Sequence, residues 1–474
     1  MERASRQITN WLVQHFSTEE RMLFFVGPGN NGGDALAIAR QMADLDFQCE
    51  VFMMDLGKKL KGSPATNWQR LEEQGRVRLS KISKISEFPV TEPTDVILDG
   101  LFGSGLTRPL EKLPAEIVQK INDQTNTVVA IDIPSGLMGE DNSENSYDGI
   151  IKADFTLTFQ FPKISFLFVE HEQFTGKWEV LPIGLHPAGI EKTPSDVVFV
   201  EKAEIKRILP QRSKFSHKGT FGHALLIAGS YGKMGATVLA SKGCLRAGTG
   251  LLTAHVPRLG YSIIQTAVPE AMVSIDPHDS MFTEFPDLSQ FSAIGIGPGI
   301  GLKHNSQKAI HELIEKAEVP MVLDADALNI LSENKEWLKK LPVNSILTPH
   351  PGEFRRLAGD STNSWEQIEK QKKLARENNI IVLLKGAFST IATPDGKLYF
   401  NSTGNPGMAT GGDTLTGIIL GLLAQQISPE DAVVAAVYLH GRAGDLAAEK
   451  ISEPALVAGD ISDFLGEAFL ELKA

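Results

Sequence analysis

Short apolar runs recur along this chain, and most are followed by a stretch in which apolar residues take helical spacing. In the first half the runs are "MLFFVG", "QCEVFMM", "DVILDG", "TVVAIDI" and "DFTLTFQ", with amphipathic stretches between them at about 33–45, 63–74 and 110–123. Continuous apolar runs of this length fit strands buried on both faces, and strands that alternate with helices build a parallel sheet. Such a sheet carries helices on both faces and holds ligands in loops at the carboxyl ends of its strands. The pattern lapses in "PIGLHPAGIEKTPSD" (182–196), where proline, glycine and charge mark a domain boundary. It restarts with "FGHALLIAGS", "GLLTAHVP", "FSAIGIGPG", "VPMVLDAD", "NSILTPH" and "NIIVLLKG", and a helix-rich tail begins near Gly411. The reading is an α/β chain of two domains, 1–190 and 191–474, that do not look like copies of each other.

The bulk numbers narrow the function. A chain of 474 residues is too long for one core. Its net charge of −12 argues against a nucleic-acid or anionic-membrane binder, which needs a basic footprint. Cys49 and Cys244 stand in unrelated contexts and offer neither a disulfide framework nor a zinc site. The first residues, "MERASRQITNWLVQHFSTEERMLFF", lack the apolar core and cleavage site of a secretory signal. Runs such as "GIILGLLA" fall short of the ~18 residues a membrane span requires. The expectation is a soluble, cytoplasmic protein with small-molecule partners.

Chemistry gathers at the strand ends. "VGPGNNGGDALAIAR" (Val26 to Arg40) is a glycine-rich turn from strand to helix, the kind that cradles phosphate with backbone N–H groups and the helix dipole. It departs from G-x-G-x-x-G and crowds Asn30, Asn31 and Asp34 into the turn. "ILDGLFGSGLTRP" ends a strand at Asp99 and continues into Gly103, Ser104, Gly105 and Arg108, while "AIDIPSGL" ends another with Asp132, Pro134, Ser135 and Gly136. Asn31, Asp99 and Ser135 supply hard oxygens of the kind a weakly held cation takes. Taken singly, each loop reads as a chain reversal. Three of them on neighbouring strand ends read as one crevice.

"GNNGGD", "LDGLFGSGLTR" and "IDIPSG" together resemble the motifs of NAD(P)H-hydrate epimerases, across the whole first half. Those enzymes interconvert the R and S forms of NAD(P)HX, the cofactor hydrated at C6 of the nicotinamide ring. The resemblance implies a Rossmann-like three-layer αβα domain. It implies that Asn30, Asn31, Gly32, Gly33 and Asp34, with Gly103, Ser104, Gly105, Leu106, Thr107, Arg108 and Pro109, line the substrate. Asp132 would contact it, and Asn31, Asp99 and Ser135 would hold K+. Moving a hydroxyl from one face of C6 to the other needs an acid/base, for which Asp132 is the candidate and Lys163 the second. Two departures stand out. The family usually carries a further segment before the point where "MERAS" begins, so the domain is expected to be N-terminally shortened, and Ala35 stands where a glycine usually follows "NNGGD".

In the second half "TGGDTLTG" (Thr410 to Gly417) is a glycine turn opening a helix with Asp413 in its first turn. Such a turn makes an anion hole, and an aspartate beside it can take the proton of an attacking hydroxyl. Alone, Asp413 reads as a first-turn aspartate that stabilises the dipole, and His350 as a satisfied loop histidine. With "GPGIG", "LDADALN", "LTPHPGE", "LLKG" and "GNPGMAT", however, it resembles the ribokinase-like NAD(P)H-hydrate dehydratases from about Gly222 onward. That resemblance implies a ribokinase-like αβα domain that phosphorylates the C6 hydroxyl of the S-hydrate, with ADP as phosphoryl donor and Mg2+. Asp413 would be the base. Ala236, Gly299 and His350 would line the hydrate. Lys385, Gly386, Ala387, Phe388 and Ser389 would hold the AMP portion and Gly412 the transferring phosphoryl, with Glu353 orienting magnesium-bound water. The turn before Asp413 is about two residues shorter than the family's usual run; either the preceding loop absorbs the difference or the anion hole is reshaped.

The chain is thus expected to repair NADHX and NADPHX, as a homo-oligomer. A ribokinase-like kinase for a small alcohol would keep the glycine turn but leave the first half unexplained, and a non-catalytic nucleotide-binding scaffold would keep the loops of both halves without turnover.

Overall fold

The computed structural model describes residues 1–57, 59–210 and 212–473. The chain divides into two compact units, Met1–Pro194 with Asn363–Trp365, and Ser195–Thr362 with Glu366–Ala474.

The first unit is built on β1 (Met22–Val26), β2 (Cys49–Met54), β3 (Arg78–Ile82), β4 (Val96–Gly100), β5 (Thr127–Ile131), β6 (Phe155–Phe159) and β7 (Lys177–Leu181). They form one sheet in the order β3-β2-β1-β4-β5-β6-β7, parallel throughout. β1 is buried along its whole length because it is apolar on both faces. Phe24 and Val26 pack with residues of the helices Glu2–His15, Asn30–Asp44 and Gly62–Gln74. Leu23 and Phe25 face the other way, with Ile117 and Ile121 of the helix Leu113–Asn122. Each such side chain stabilises the unit by roughly 1.5–3 kcal/mol relative to exposure. Strand order reverses between β1 and β4, the place where open α/β sheets part their loops to admit a ligand.

The second unit contains β8 (Val197–Val200), β9 (His223–Ile227), β10 (Leu251–Pro257), β11 (Met272–Asp276), β12 (Ala293–Ile296), β13 (Met321–Leu323), β14 (Ile346–Leu347), β15 (Ile381–Leu384), β16 (Thr390–Ala392) and β17 (Leu398–Asn401). Their order is β11-β10-β9-β12-β13-β14-β15-β16-β17-β8. Pairing is parallel from β11 to β15, antiparallel on both sides of β16, and parallel again between β17 and β8. The helix Gly412–Ala424 is apolar nearly all round and buried from Thr414 to its end, as expected of a core helix. It lies tight against the helix Met234–Arg246, where a Cβ on Gly417 would fall 1.9 Å from the Ala240 carbonyl oxygen. That close approach fixes where the helix start, and hence Asp413, can be. No helix among the described residues is long and apolar enough to cross a membrane.

Several elements lie outside the sequence expectation: the helix Glu2–His15, the short strands β16 and β17, and the sheet edges β3, β7, β8 and β11. "RLSKI", "KWEVL" and "MVSID" are only partly covered and carry charge. Those three edge strands are kept polar, so they lack the apolar run that marks a central one, whereas β8 is an apolar edge of only four residues.

Candidate active sites

In the first unit β1, β4 and β5 are neighbours, so the loops that follow them share one edge of the sheet. The helix Asn30–Asp44 begins after Gly29 with no side-chain cap, leaving its first amide groups to an outside acceptor. Gly32 is required there: a Cβ would sit 1.8 Å from the Gly27 carbonyl oxygen. Ala35 packs against Gly100, whose missing Cβ makes the room.

Asn31, Asp99 and Ser135 come together. The Asn31 amide donates to the Phe102 carbonyl at 2.8 Å. Asp99 is fully buried and accepts from the Ser135 hydroxyl (2.6 Å), the Ser135 N–H (2.7 Å) and the Leu101 N–H (3.2 Å). These donors are uncharged. Burial pushes the Asp99 carboxyl up to about 6, against the pull of the Ser135 hydrogen bonds. Among the described residues no group of three or more His, Cys, Asp or Glu could cage a metal ion. The donors here are instead one buried carboxylate with amide, hydroxyl and carbonyl oxygens, a set suited to a weakly held monovalent cation.

Asp132 follows β5 with φ of +68°, a backbone conformation uncommon for a residue with a Cβ. Its Oδ1 accepts from Lys163 Nζ at 2.9 Å, the Phe159 N–H at 3.2 Å and the Thr158 hydroxyl at 3.3 Å. Asp34, mostly buried, is pushed up to about 6 by burial, with the Asp132 charge adding to it. The two carboxylates therefore share one neighbourhood. Ser104, Gly105, Thr107 and Arg108 are exposed and Gly103, Leu106 and Pro109 half-buried, in the loop beyond β4.

In the second unit β9, β12, β13, β14 and β15 stand in sequence across the sheet. Ala236 and Gly299 meet after β9 and β12, a Cβ on Gly299 falling 3.5 Å from that of Ala236. Asp413 is the second residue of its helix and largely buried. Burial first, then the charge of Asp324, pushes its carboxyl up to about 6, while the Lys385 charge opposes. Lys385 lies beside the helix start, its ammonium 3.4 Å from where a Gly412 Cβ would be. The turn thus sets the glycine at the helix start beside the lysine, with Asp413 within reach of the Lys385 charge. Gly386 and Ser389 close a turn on each other, with Ala387 exposed and Phe388 half-buried between them. His350 caps the helix Pro351–Ala358: its Nδ1 accepts from the Gly352 N–H at 3.0 Å, and its own N–H donates to Glu353 Oε2 at 3.0 Å.

Sequence reasoning missed what holds this cluster. Asp324, fully buried, accepts from Lys385 Nζ at 2.9 Å on Oδ1 and from the Thr416 hydroxyl on Oδ2. Asp326 takes the Gly301 N–H at 2.8 Å and Lys233 Nζ at 3.2 Å. Ala325 between them adopts φ of +50°, and the charges of both aspartates act on Asp413. Their signal was present in "LDADALN", a strand end with two acids. His440, which donates from Nε2 to the Gly411 carbonyl at 3.0 Å, had none.

Comparison with known proteins agrees with this division. Residues 224–466 match the family model described as NAD(P)H-hydrate dehydratase, and residues 1–165 match the model of the YjeF-related protein N-terminus. The bifunctional NAD(P)H-hydrate repair enzyme of Moorella thermoacetica is 35% identical over 98% of this chain and 91% of its own length. That of Escherichia coli is 32% identical over 93% of this chain and 83% of its own. The ADP/ATP-dependent NAD(P)H-hydrate dehydratase of Bacillus subtilis, crystallised with ATP/Mg2+, superposes with a TM-score of 0.51 at 36% identity, covering 58% of this chain and 99% of that one. A ribokinase-like superfamily protein of Enterococcus faecalis gives 0.51 at 26% identity, covering 59% and 98%. With its two family models in this order and its relatives matched nearly end to end, the chain belongs to the bifunctional NAD(P)H-hydrate repair enzymes.

Proposed function

We propose that residues 1–190 interconvert R- and S-NAD(P)HX and that residues 191–474 dehydrate the S form to NAD(P)H with ADP, giving AMP and phosphate. The observation that carries this reading is the Asp413 carboxylate held beside a glycine-started helix and the Lys385 ammonium. A hydroxyl is a poor leaving group and a phosphate a good one. Asp413 takes the proton of the C6 hydroxyl as its oxygen attacks the terminal phosphoryl of ADP, and AMP leaves. The Gly412 amide and Lys385 stabilise charge on the group in transfer. The C6–O bond of the phosphate ester then breaks, C5 loses a proton, and the ring double bond is restored. Ala236, Gly299 and His350 line the hydrate, and the Lys385–Ser389 turn holds the AMP portion. Mg2+ would arrive with the phosphates and neutralise their charge. Glu353, with Oε2 used in the helix cap, would accept from a metal-bound water through its other oxygen.

In the first unit the hydrate's diphosphate rests on the uncapped start of the Asn30 helix, and the Gly103–Pro109 loop covers the nicotinamide. Asp132, oriented by Lys163, serves as acid/base at C6 as the hydroxyl leaves and returns. Asn31, Asp99 and Ser135 hold K+, which would balance the buried Asp99 charge.

The test is the near-ultraviolet absorbance of reduced nicotinamide. The purified chain with S-NADHX, Mg2+ and ADP or ATP should restore the band, and R-NADHX should follow. Asp413→Ala should cut restoration from both forms by roughly 10²–10⁴-fold. Asp132→Ala should slow only the R form. A flat band with every nucleotide, or full turnover by Asp413→Ala, refutes the assignment.

A further inference from the structure

The first unit has a cavity of about 420 Å³ next to, but separate from, the crevice over β4 and β5. Pro28 belongs both to its wall and to the glycine loop after β1. The rest of the wall comes from the ends of β2 and β3 and the segment beyond β2: Met53, Met54, Asp55, Leu60, Trp68 and Lys81 are the residues that matter. It therefore opens on the same edge of the sheet as the uncapped start of the Asn30 helix, on the β2 side, whereas Asp132 lies on the β5 side. Resting on the reading that the hydrate's diphosphate sits at that helix start, a ligand whose nicotinamide half points to Asp132 sends its other half here.

The lining suits that half. Met53 and Met54 are buried in the two cores on either side of β2, so the apolar lining open to a flat ring is Leu60 and the Trp68 indole, and aromatic faces pack well on a purine. The indole is held in place: Trp68 Nε1 donates to Glu72 Oε1 at 2.8 Å, and the half-buried ring packs against the core while forming part of the cavity wall. The volume is in the range that receives small organic ligands. Asp55 is the first residue past β2, the position from which a side chain in such sheets reaches a ribose. It is set by the Gly57 N–H at 2.8 Å and by Lys81 at 3.5 Å. Lys81 and Lys59 are long and exposed, whereas the half-buried Asp55 carboxylate is held by the Gly57 N–H.

We propose that this cavity receives the adenosine half of NAD(P)HX and that Asp55 favours the unphosphorylated ribose, making hydrated NADH the preferred substrate of the first unit. Asp55 accepts from the ribose hydroxyls; a 2′-phosphate would bring a second negative group against it.

The experiment uses the full chain with Mg2+, ADP and R-hydrates at limiting first-unit turnover, with S-hydrate turnover in the same samples reporting the second unit. Trp68→Ala should raise KM for R-NADHX about tenfold, and Trp68→Phe should restore most of that. The KM gap between R-NADHX and the hydrate of reduced nicotinamide mononucleotide, which lacks adenosine, should narrow correspondingly in Trp68→Ala; a merely structural defect would raise both KM values alike. Asp55→Asn should reduce the preference for hydrated NADH over hydrated NADPH by about tenfold. An unchanged KM in Trp68→Ala overturns the cavity assignment. A wild type that prefers hydrated NADPH, with the preference lost in the Lys59→Ala/Lys81→Ala double variant, overturns the role of Asp55. A wild type that uses S-hydrate but no R-hydrate at all refutes the epimerase reading itself, a result distinct from either.

Discussion

Asp324 shows how one buried carboxylate can set the behaviour of another. Both its oxygens are occupied, by Lys385 and the Ala325 N–H on one side and the Thr416 hydroxyl on the other. Its charge also helps hold the Asp413 carboxyl up at about 6. A base has to be ionised to act, so dehydration should rise with pH through about 6 and level off above it. Asp324→Asn removes a like charge and leaves the Lys385 charge unbalanced, and both changes favour ionised Asp413. The acid limb of the kcat profile should therefore move to lower pH, while the plateau falls because Lys385 loses its anchor. A plateau loss with an unmoved limb would show Asp324 to be structural only. At this scale the site was partly legible in the sequence. Asp413 follows two glycines at the start of a helix and Asp132 ends an apolar run, both places from which a side chain reaches a ligand. Asp324 sits at a strand end too, but its partners Lys385 and Thr416 are 61 and 92 residues away in the chain. No local pattern joins them.

At the scale of elements, the start of the Gly412 helix is held from behind. The Gly411 carbonyl accepts from the Leu415 N–H within the helix and from His440 Nε2, which reaches across from the long helix Pro429–Ile451. His440 is buried, and burial lowers its pKa from the ordinary 6.5 to about 4, so the ring is neutral and donates. Between those values the unfolded chain takes up a proton that the folded ring resists. This contribution is therefore complete above about pH 6.5 and is lost as pH falls toward about 4. His440→Gln keeps an N–H for Gly411 but cannot titrate. Between roughly pH 7 and pH 5 the wild-type second unit should lose about 2 kcal/mol more than the variant, measured by urea unfolding at each pH. Equal losses would place the pH response elsewhere. Elements divide in legibility as residues do. β1, β4, β5, β9 and β12 are buried throughout or nearly so and read directly from their apolar runs. β3, β7 and β11 are edges whose polar faces hide them, and β16 is only Thr390–Ala392, too short to carry a period.

The whole molecule joins two α/β units, each with its own sheet and its own buried cores. The proposed chemistry gives a reason for having both in one chain. A dehydratase that accepts only the S-hydrate leaves the R form to accumulate, and an epimerase returns it to the usable pool. Since the nucleotide has its proposed contacts only in the second unit, binding should stabilise that unit alone. At about a hundred times its Kd, ADP with Mg2+ contributes roughly 2.7 kcal/mol to the unit that binds it. For a unit of this size that moves the midpoint by roughly 5 °C. Scanning calorimetry should accordingly resolve two transitions, of which nucleotide raises one and leaves the other in place. Asp55→Asn, in the first unit, should leave the nucleotide-induced shift intact. A single transition that moves as a whole with nucleotide would mean that the two units unfold as one cooperative body.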